Sequence, residues 1–252
     1  MAKLKNSSSF YLGLSGIVLP ITKYKFPEEF QKSSRLVYYS SLLNSIEINR
    51  SFYALPNAKT VAKWSSEVPP NFKFTFKLWK AVTHAKRLEF QDSDVVNFMN
   101  AIGNIGNKKG CVLIQFPASM KSQCLAQLQH LLHVIAATHV NTEWKLALEF
   151  RDPSWYNQDT YDVIQKYGAT IAIHDKAKSV SPLAATDTTT IYLRFHGPQG
   201  NYRGSYDDAF LFEYATYFRE WLKEGKSVFA YFNNTMGSAF ENLNTLNKYV
   251  NG

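Results

Sequence analysis

The stretch "SIEINRSFYALP", residues 45–56, decides the fold. Ile46 and Ile48 lie on one side of a two-residue alternation, and Ser45, Glu47 and Asn49 on the other. A half-exposed antiparallel strand would show this pattern. So would a strand of an α/β barrel, whose apolar side faces helices and whose polar side faces the barrel interior near a binding site. The rest of the chain has to choose between them.

Seven further segments read as short strands rich in β-branched or aromatic residues: 10–15, 72–77, 111–116, 146–151, 169–174, 191–196 and 227–232, beside 45–50. Helical patterns lie between most of them, over 27–43, 58–67, 92–104, 121–139, 157–167, 207–224 and 237–250. Pro27 is a good first helical residue, and Gly168 and Gly225 are stops. Residues 175–190 read as loop, so the helix after the sixth strand is missing. Strands alternating with helices imply a parallel sheet, and eight of them in 252 residues imply a TIM-type (β/α)8-like barrel. An open doubly wound sheet is the alternative. It is disfavoured because no strand leads into GxGxxG or a Walker A loop. The expectation is a single TIM-barrel-like domain over 1–252, with 1–9 flexible.

Composition agrees. A hydrophobic fraction of 45% with 19% charged residues is globular. Two cysteines, Cys111 and Cys124, show no metal-ligand spacing and fit a reducing compartment. Lys3 and Lys5 before an apolar stretch imitate a signal peptide, but glycines and Pro20 interrupt it and no A-x-A site follows. No apolar run is long enough to span a membrane, so no membrane partner is expected and the cytoplasm is the default location. A net charge of +8 suits anionic partners and, since no dense basic run exists, suits a solubility charge spread over the surface equally well. The sequence leaves the oligomeric state open.

The parity of each strand locates the candidate site. Apolar residues at 46/48, 72/74/76, 112/114/116, 146/148/150, 171/173, 191/193/195 and 228/230/232 must face helices. That leaves Glu47, Asn49, Lys77, Gln115, Glu149, Arg151, His174, Arg194, His196 and Asn233 pointing inward at the C-terminal ends of strands. So many inward polar groups are costly unless they pair or meet a ligand. For any one of them a structural ion pair, such as Glu47 or Glu149 with Arg194 or Lys77, competes evenly with a ligand contact.

The blocks "SIEINRSFYALP", "FKFTFKLWKAVTH", "LIQFP", "LEFRDPSWY", "YLRFHGP" with "YRGSY", and "VFAYFNNTMGSAFENL" resemble the YecE-like family, also known as domain of unknown function 72. The likeness runs from about residue 11 to 247 with the blocks in order. It implies the barrel, implies no settled activity, and adds Tyr53, His84, Gly197, Tyr206 and Asn234 to the inward set. The family's usual first block, GTSGW, reads "GLSG" here and lacks the tryptophan.

Two chemistries follow. In the first, Glu47, Glu149 and His196 act as catalytic acid–base groups of a hydrolase or lyase. Asn49, Tyr53, Lys77, His84, Gln115, Arg151, His174, Arg194, Tyr206, Asn233 and Asn234 then bind a phosphate-bearing or other anionic small molecule. In the second, the basic surface and loop aromatics bind or process nucleic acid. A non-catalytic metabolite-binding protein is a further alternative. No cofactor is called for and no metal ligand is assigned; with six histidines in all, a multinuclear zinc site is not expected, while one Mg²⁺ on a carboxylate stays open.

Overall fold

The structure is a computed structural model that describes residues 9–138, 143–176, 179–183 and 189–252. Residues 1–8 of the expected flexible start lie outside it, as does part of the expected loop 175–190; the described residues of that loop contain no helix.

Eight parallel strands form one sheet: β1 (Phe10–Leu14), β2 (Ser45–Ile48), β3 (Lys73–Lys77), β4 (Lys109–Gln115), β5 (Lys145–Glu149), β6 (Thr170–His174), β7 (Thr190–Phe195) and β8 (Ser227–Phe232). Their order is β1-β8-β7-β6-β5-β4-β3-β2. Helices α1 (Arg35–Leu42), α2 (Ala58–Glu67), α3 (Lys80–Thr83), α4 (Asp92–Gly103), α5 (Leu125–Ala137), α6 (Gln158–Lys166), α7 (Asp208–Lys223) and α8 (Ala239–Asn251) follow strands in turn. Side-chain oxygens of Ser34, Asn57, Asn157 and Asp207 accept from free N–H groups at the starts of α1, α2, α6 and α7. The Ser34 cap also explains a difference from the sequence reading. Its extended backbone (ψ 159°) starts α1 at Arg35, and residues expected to be helical from 27 form only a 3-10 turn, Glu28–Phe30.

The ends of the sheet, β1 and β2, meet to close the barrel, and side chains do much of the joining. Asn44 accepts from Leu12 N and donates to Phe10 O, replacing ladder bonds that a neighbouring strand would supply. The Tyr39 hydroxyl accepts from Leu14 N and donates to Ser45 O. Backbone pairing resumes where Gly16 N donates to Glu47 O at 2.9 Å. This close approach requires Gly13, because a Cβ there would overlap the Ser45 carbonyl. Gly13→Ala is expected to lower stability by about 2–3 kcal/mol, as overpacking against fixed backbone does, and urea unfolding would read it.

Two apolar shells result. The outer one, between sheet and helices, holds Ile46, Ile48, Phe74, Phe76, Ile114, Leu148, Leu193 and Phe232 with the buried helix faces. The inner one is small and separate: Cys111, Leu113, Ala147, Ala172, Tyr192, Phe229 and Tyr231 fill the lower barrel, and Tyr11 stacks on Phe229 at 4.5 Å. The apolar parity therefore faces helices, and "SIEI" is a barrel strand with Glu47 inside. Above the Tyr231 hydroxyl, which contacts Ser45 Oγ and Thr75 Oγ1 at 2.7 Å each, the interior turns polar.

Candidate functional site

Glu47 and Arg194 lie at the centre of the polar interior, 0% and 2% exposed. Arg194 Nε and Nη2 donate to Glu47 Oε2 and Oε1 at 2.9 and 2.8 Å, a two-pronged pair. Tyr192 Oη and Ser15 Oγ complete the shell of Glu47 at 2.5 and 2.7 Å. Arg194 Nη1 donates to Glu149 Oε2 at 2.7 Å, and Arg151 pairs with Glu149 Oε1. The result is a chain of alternating charge from β2 across β7 to the end of β5. Burial alone would raise both carboxyl pKa values; Arg194, joined by Arg151 at Glu149, outweighs it and holds both below the usual carboxylate range.

His196 sits above this chain, 0% exposed. Its Nε2 lies 3.1 Å from Arg194 Nη1 and 3.2 Å from Arg151 Nη2. Guanidinium groups only donate, so Nε2 is the acceptor and the ring proton is on Nδ1, which donates to Asp175 Oδ1 at 3.1 Å. Burial, reinforced by the two guanidinium charges against the contrary pull of Asp175, lowers the His196 pKa to about 4. Asp175 also receives the Tyr206 hydroxyl, which in turn accepts from Gly197 N at 2.6 Å.

Several expected ligand contacts are occupied within the protein. His174 is 3% exposed; its Nε2 faces Phe150 O at 3.0 Å and its Nδ1 accepts from Lys176 N. Tyr206 is 5% exposed and tied to Asp175. Asn234, fully buried, donates to Gly204 O and Asn242 Oδ1. These bonds pin the loops after β7 and β8, which pair as a short ribbon through Arg203–Gly204 and Met236–Gly237. Tyr53 stands out in solvent, with Lys80 over its ring, and Asn233 is half-buried at the mouth.

An open cleft of about 480 Å³ lies over the mouth. Gln115, Arg151 and His84 line it, together with Pro117, Ala118, Lys176, Ser179, Gln199, Gly200 and Tyr202. Among the described residues no carboxylate does. Arg151 Nε is a buried donor without an acceptor among them. Lys176 Nζ donates to Gly200 O at 2.6 Å and lies 4.1 Å over the Tyr202 ring. Tyr202 has a left-handed backbone (φ 69°), uncommon for a residue with a side chain. A second cleft of about 490 Å³ adjoins through His84 and Pro117 and carries Lys86, Arg87 and Lys121, again without a carboxylate among the described residues. Arg87 also has a positive φ, 55°.

Sequence reasoning missed Tyr192 and Lys176, read Ser15 only as providing space, and read Tyr202 only as a loop aromatic for stacking on bases. Tyr192 shares the inward parity of Arg194 and could have been found by extending the parity argument down the strand. Lys176 and Tyr202 lie on loops, where no periodicity orients a side chain. Among the described residues no three His, Cys, Asp or Glu converge as metal ligands, and no helix is long and apolar enough to cross a membrane.

Comparison with known proteins places this architecture. The family model described as "Protein of unknown function DUF72" matches residues 11–252. UPF0759 protein YunF of Bacillus subtilis is 27% identical over 259 residues, covering 90% of this chain and 89% of YunF. UPF0759 protein YecE of Escherichia coli K12 is 26% identical over 118 residues, covering 47% of this chain and 42% of YecE. The crystal structure of a DUF72 family protein from Enterococcus faecalis superposes with a TM-score of 0.80 at 20% identity, over 96% of both chains, a likeness of fold. By sequence along nearly its whole length and by its eight-stranded barrel, the chain belongs to the YecE-like DUF72 family.

Proposed function

We propose that the mouth cleft binds a small anionic molecule, phosphate- or carboxylate-bearing, and that the buried charge chain beneath it is its support. The observation that carries this reading is Arg151: among the described residues it lines a cleft free of carboxylates, and its Nε–H lacks an acceptor. A buried donor left unpaired costs roughly 1–3 kcal/mol, and an anion oxygen would satisfy it. Glu149 and His196 fix the far side of the same guanidinium, so its geometry is set before a ligand arrives. Glu47, Arg194 and Asp175 act one step further back. Glu47 and Glu149 have no face open to solvent, so acid–base work in the cleft passes from them to His84. Burial, with Lys77 and Lys80 nearby, lowers the His84 pKa, which keeps the ring neutral at pH 7 and able to accept a proton.

A second reading rests on the adjoining cleft. Its Lys86, Arg87 and Lys121 continue the row of cations outward, which suits a chain of phosphates such as single-stranded nucleic acid. A thermal-shift panel of phosphate, sulfate, sugar phosphates, nucleotides and short single-stranded DNA separates the two. The leading reading expects a small anion to raise the melting temperature, with the rise surviving moderate salt. A rise with DNA alone, fading at high salt, selects the second reading. No rise with any anion rejects both.

A further inference from the structure

Lys77 ends β3 inside the barrel and is, among the described residues, the one inward cation of the mouth without a salt-bridge or hydrogen-bond partner. Arg151 and Arg194 are paired with carboxylates, and Lys176 donates to a carbonyl. The Lys77 Nζ instead lies 4.0 Å from the centre of the Phe52 ring, which offers no lone pair. Asn49 directly follows β2, whose last residue, Ile48, pairs with Phe76 in the β2–β3 register. Among the described residues Asn49 Oδ1 is a buried acceptor with no donor. The ends of these neighbouring strands thus carry an amine without an acceptor and an amide oxygen without a donor. His84 packs edge-on to the same Phe52 ring at 5.0 Å and lines the cleft that holds Arg151.

We propose that Lys77 is a nucleophile that captures a carbonyl compound bearing an anionic group, such as an α-keto acid or the open-chain form of a phosphorylated sugar, as a Schiff base; the inference rests on the anion-binding reading of the cleft. The neutral Lys77 amine attacks the carbonyl carbon. A C–N bond forms, the carbonyl π electrons move to oxygen, and that oxygen takes up a proton as nitrogen gives one up. His84 takes up a proton from solvent and passes it to the carbinolamine hydroxyl, which leaves as water while nitrogen's lone pair forms the protonated imine. One carbonyl, one amine and one proton give one iminium and one water, and hydrolysis reverses the sequence.

The amine's surroundings favour the free base. Burial, then Arg194 and Arg151, lower the Lys77 pKa to about 8 against the opposing pull of Glu149 and Glu47. At neutral pH that leaves on the order of a hundredfold more free amine than an ordinary lysine of pKa about 10.4.

The test is reductive trapping on the full chain. The protein is incubated at pH 7.5 with sodium cyanoborohydride and either glyoxylate, an anionic aldehyde, or propionaldehyde, a neutral one, and adducts are mapped by peptide mass. The expected result is one dominant glyoxylate adduct, on Lys77, formed about tenfold or more faster than on any other lysine. Inorganic phosphate should slow it, and Lys77→Met, which keeps the stem against Phe52, should lack it. Adducts spread over surface lysines, or a dominant adduct elsewhere, overturn the proposal, and mapping the wild-type protein decides this whether or not the variant folds. If phosphate raises the melting temperature while Lys77 stays unlabelled, the covalent role falls and the anion site stands. If both aldehydes label Lys77 alike and phosphate gives no protection, the nucleophile stands and the anion site falls.

Discussion

Arg194→Ala is expected to lower stability by about 3–5 kcal/mol, the largest effect of any substitution considered. The side chain neutralises two carboxylates that no water reaches, Glu47 and Glu149. Removing it leaves Glu47 with hydroxyl donors only and Glu149 with Arg151 alone. Either the charges stay buried and unpaired, or the carboxyls protonate at the cost of their lowered pKa values. For a domain stable by roughly 5–15 kcal/mol, that loss brings unfolding close. Arg194→Lys is expected to fall between the two, because one ammonium cannot reproduce the two-pronged bond to Glu47 and also reach Glu149. The pairing of Glu47 and Glu149 with Arg194 is the structural ion-pair alternative left open at the level of sequence. Urea unfolding of the alanine and lysine variants checks it, and a cost below about 1 kcal/mol for the alanine would contradict the central role given to Arg194.

Acidification is expected to weaken the fold through His196. In the folded protein its Nε2 lone pair faces two guanidinium groups, and its pKa is about 4; in the unfolded chain it is about 6.5. Between these values the unfolded state binds a proton that the folded state refuses, so stability falls as pH falls from 6.5 toward 4. The shift corresponds to about 3 kcal/mol, complete only below pH 4. His174, whose pKa is also lowered by burial, adds a loss of the same sign. Glu47 and Glu149 contribute below the ordinary carboxylate pKa, where their lowered folded values make protonation costly. Melting temperatures from pH 7.5 to 5 therefore report mainly on the histidines. His196→Asn should flatten that slope without abolishing it, and an unchanged slope would contradict the assignment of Nε2 as an acceptor.

The barrel was legible in the sequence because its two faces obey different rules. Ile46 and Ile48 must meet helices, so Glu47 must turn inward, and the same alternation repeats along the chain. The site was legible only to the level of direction. Parity brings Glu47, Glu149, Arg194 and His196 inside but does not say which of them pair and which stay free. That depends on distances across the barrel, such as Arg194 on β7 reaching Glu47 on β2, separated by 147 residues. It also depends on loops: Lys176 and Tyr202 reach the cleft through turns whose geometry, including the positive φ of Tyr202, leaves no periodic trace. The closure of β1 onto β2 by Asn44 and Tyr39 was hidden for the same reason, since each reads locally as the end or interior of an ordinary helical segment.

On the function proposed above, the polar interior divides into an inner layer that supports the fold and an outer layer that binds. The measurement that tests this most directly is the rise in melting temperature on adding inorganic phosphate, read side by side for the wild-type protein and Lys176→Met. The two are expected to melt within a degree or two of each other without phosphate, and the variant to lose more than half of the phosphate-induced rise. Equal rises in the two proteins, or no rise in either, would contradict it.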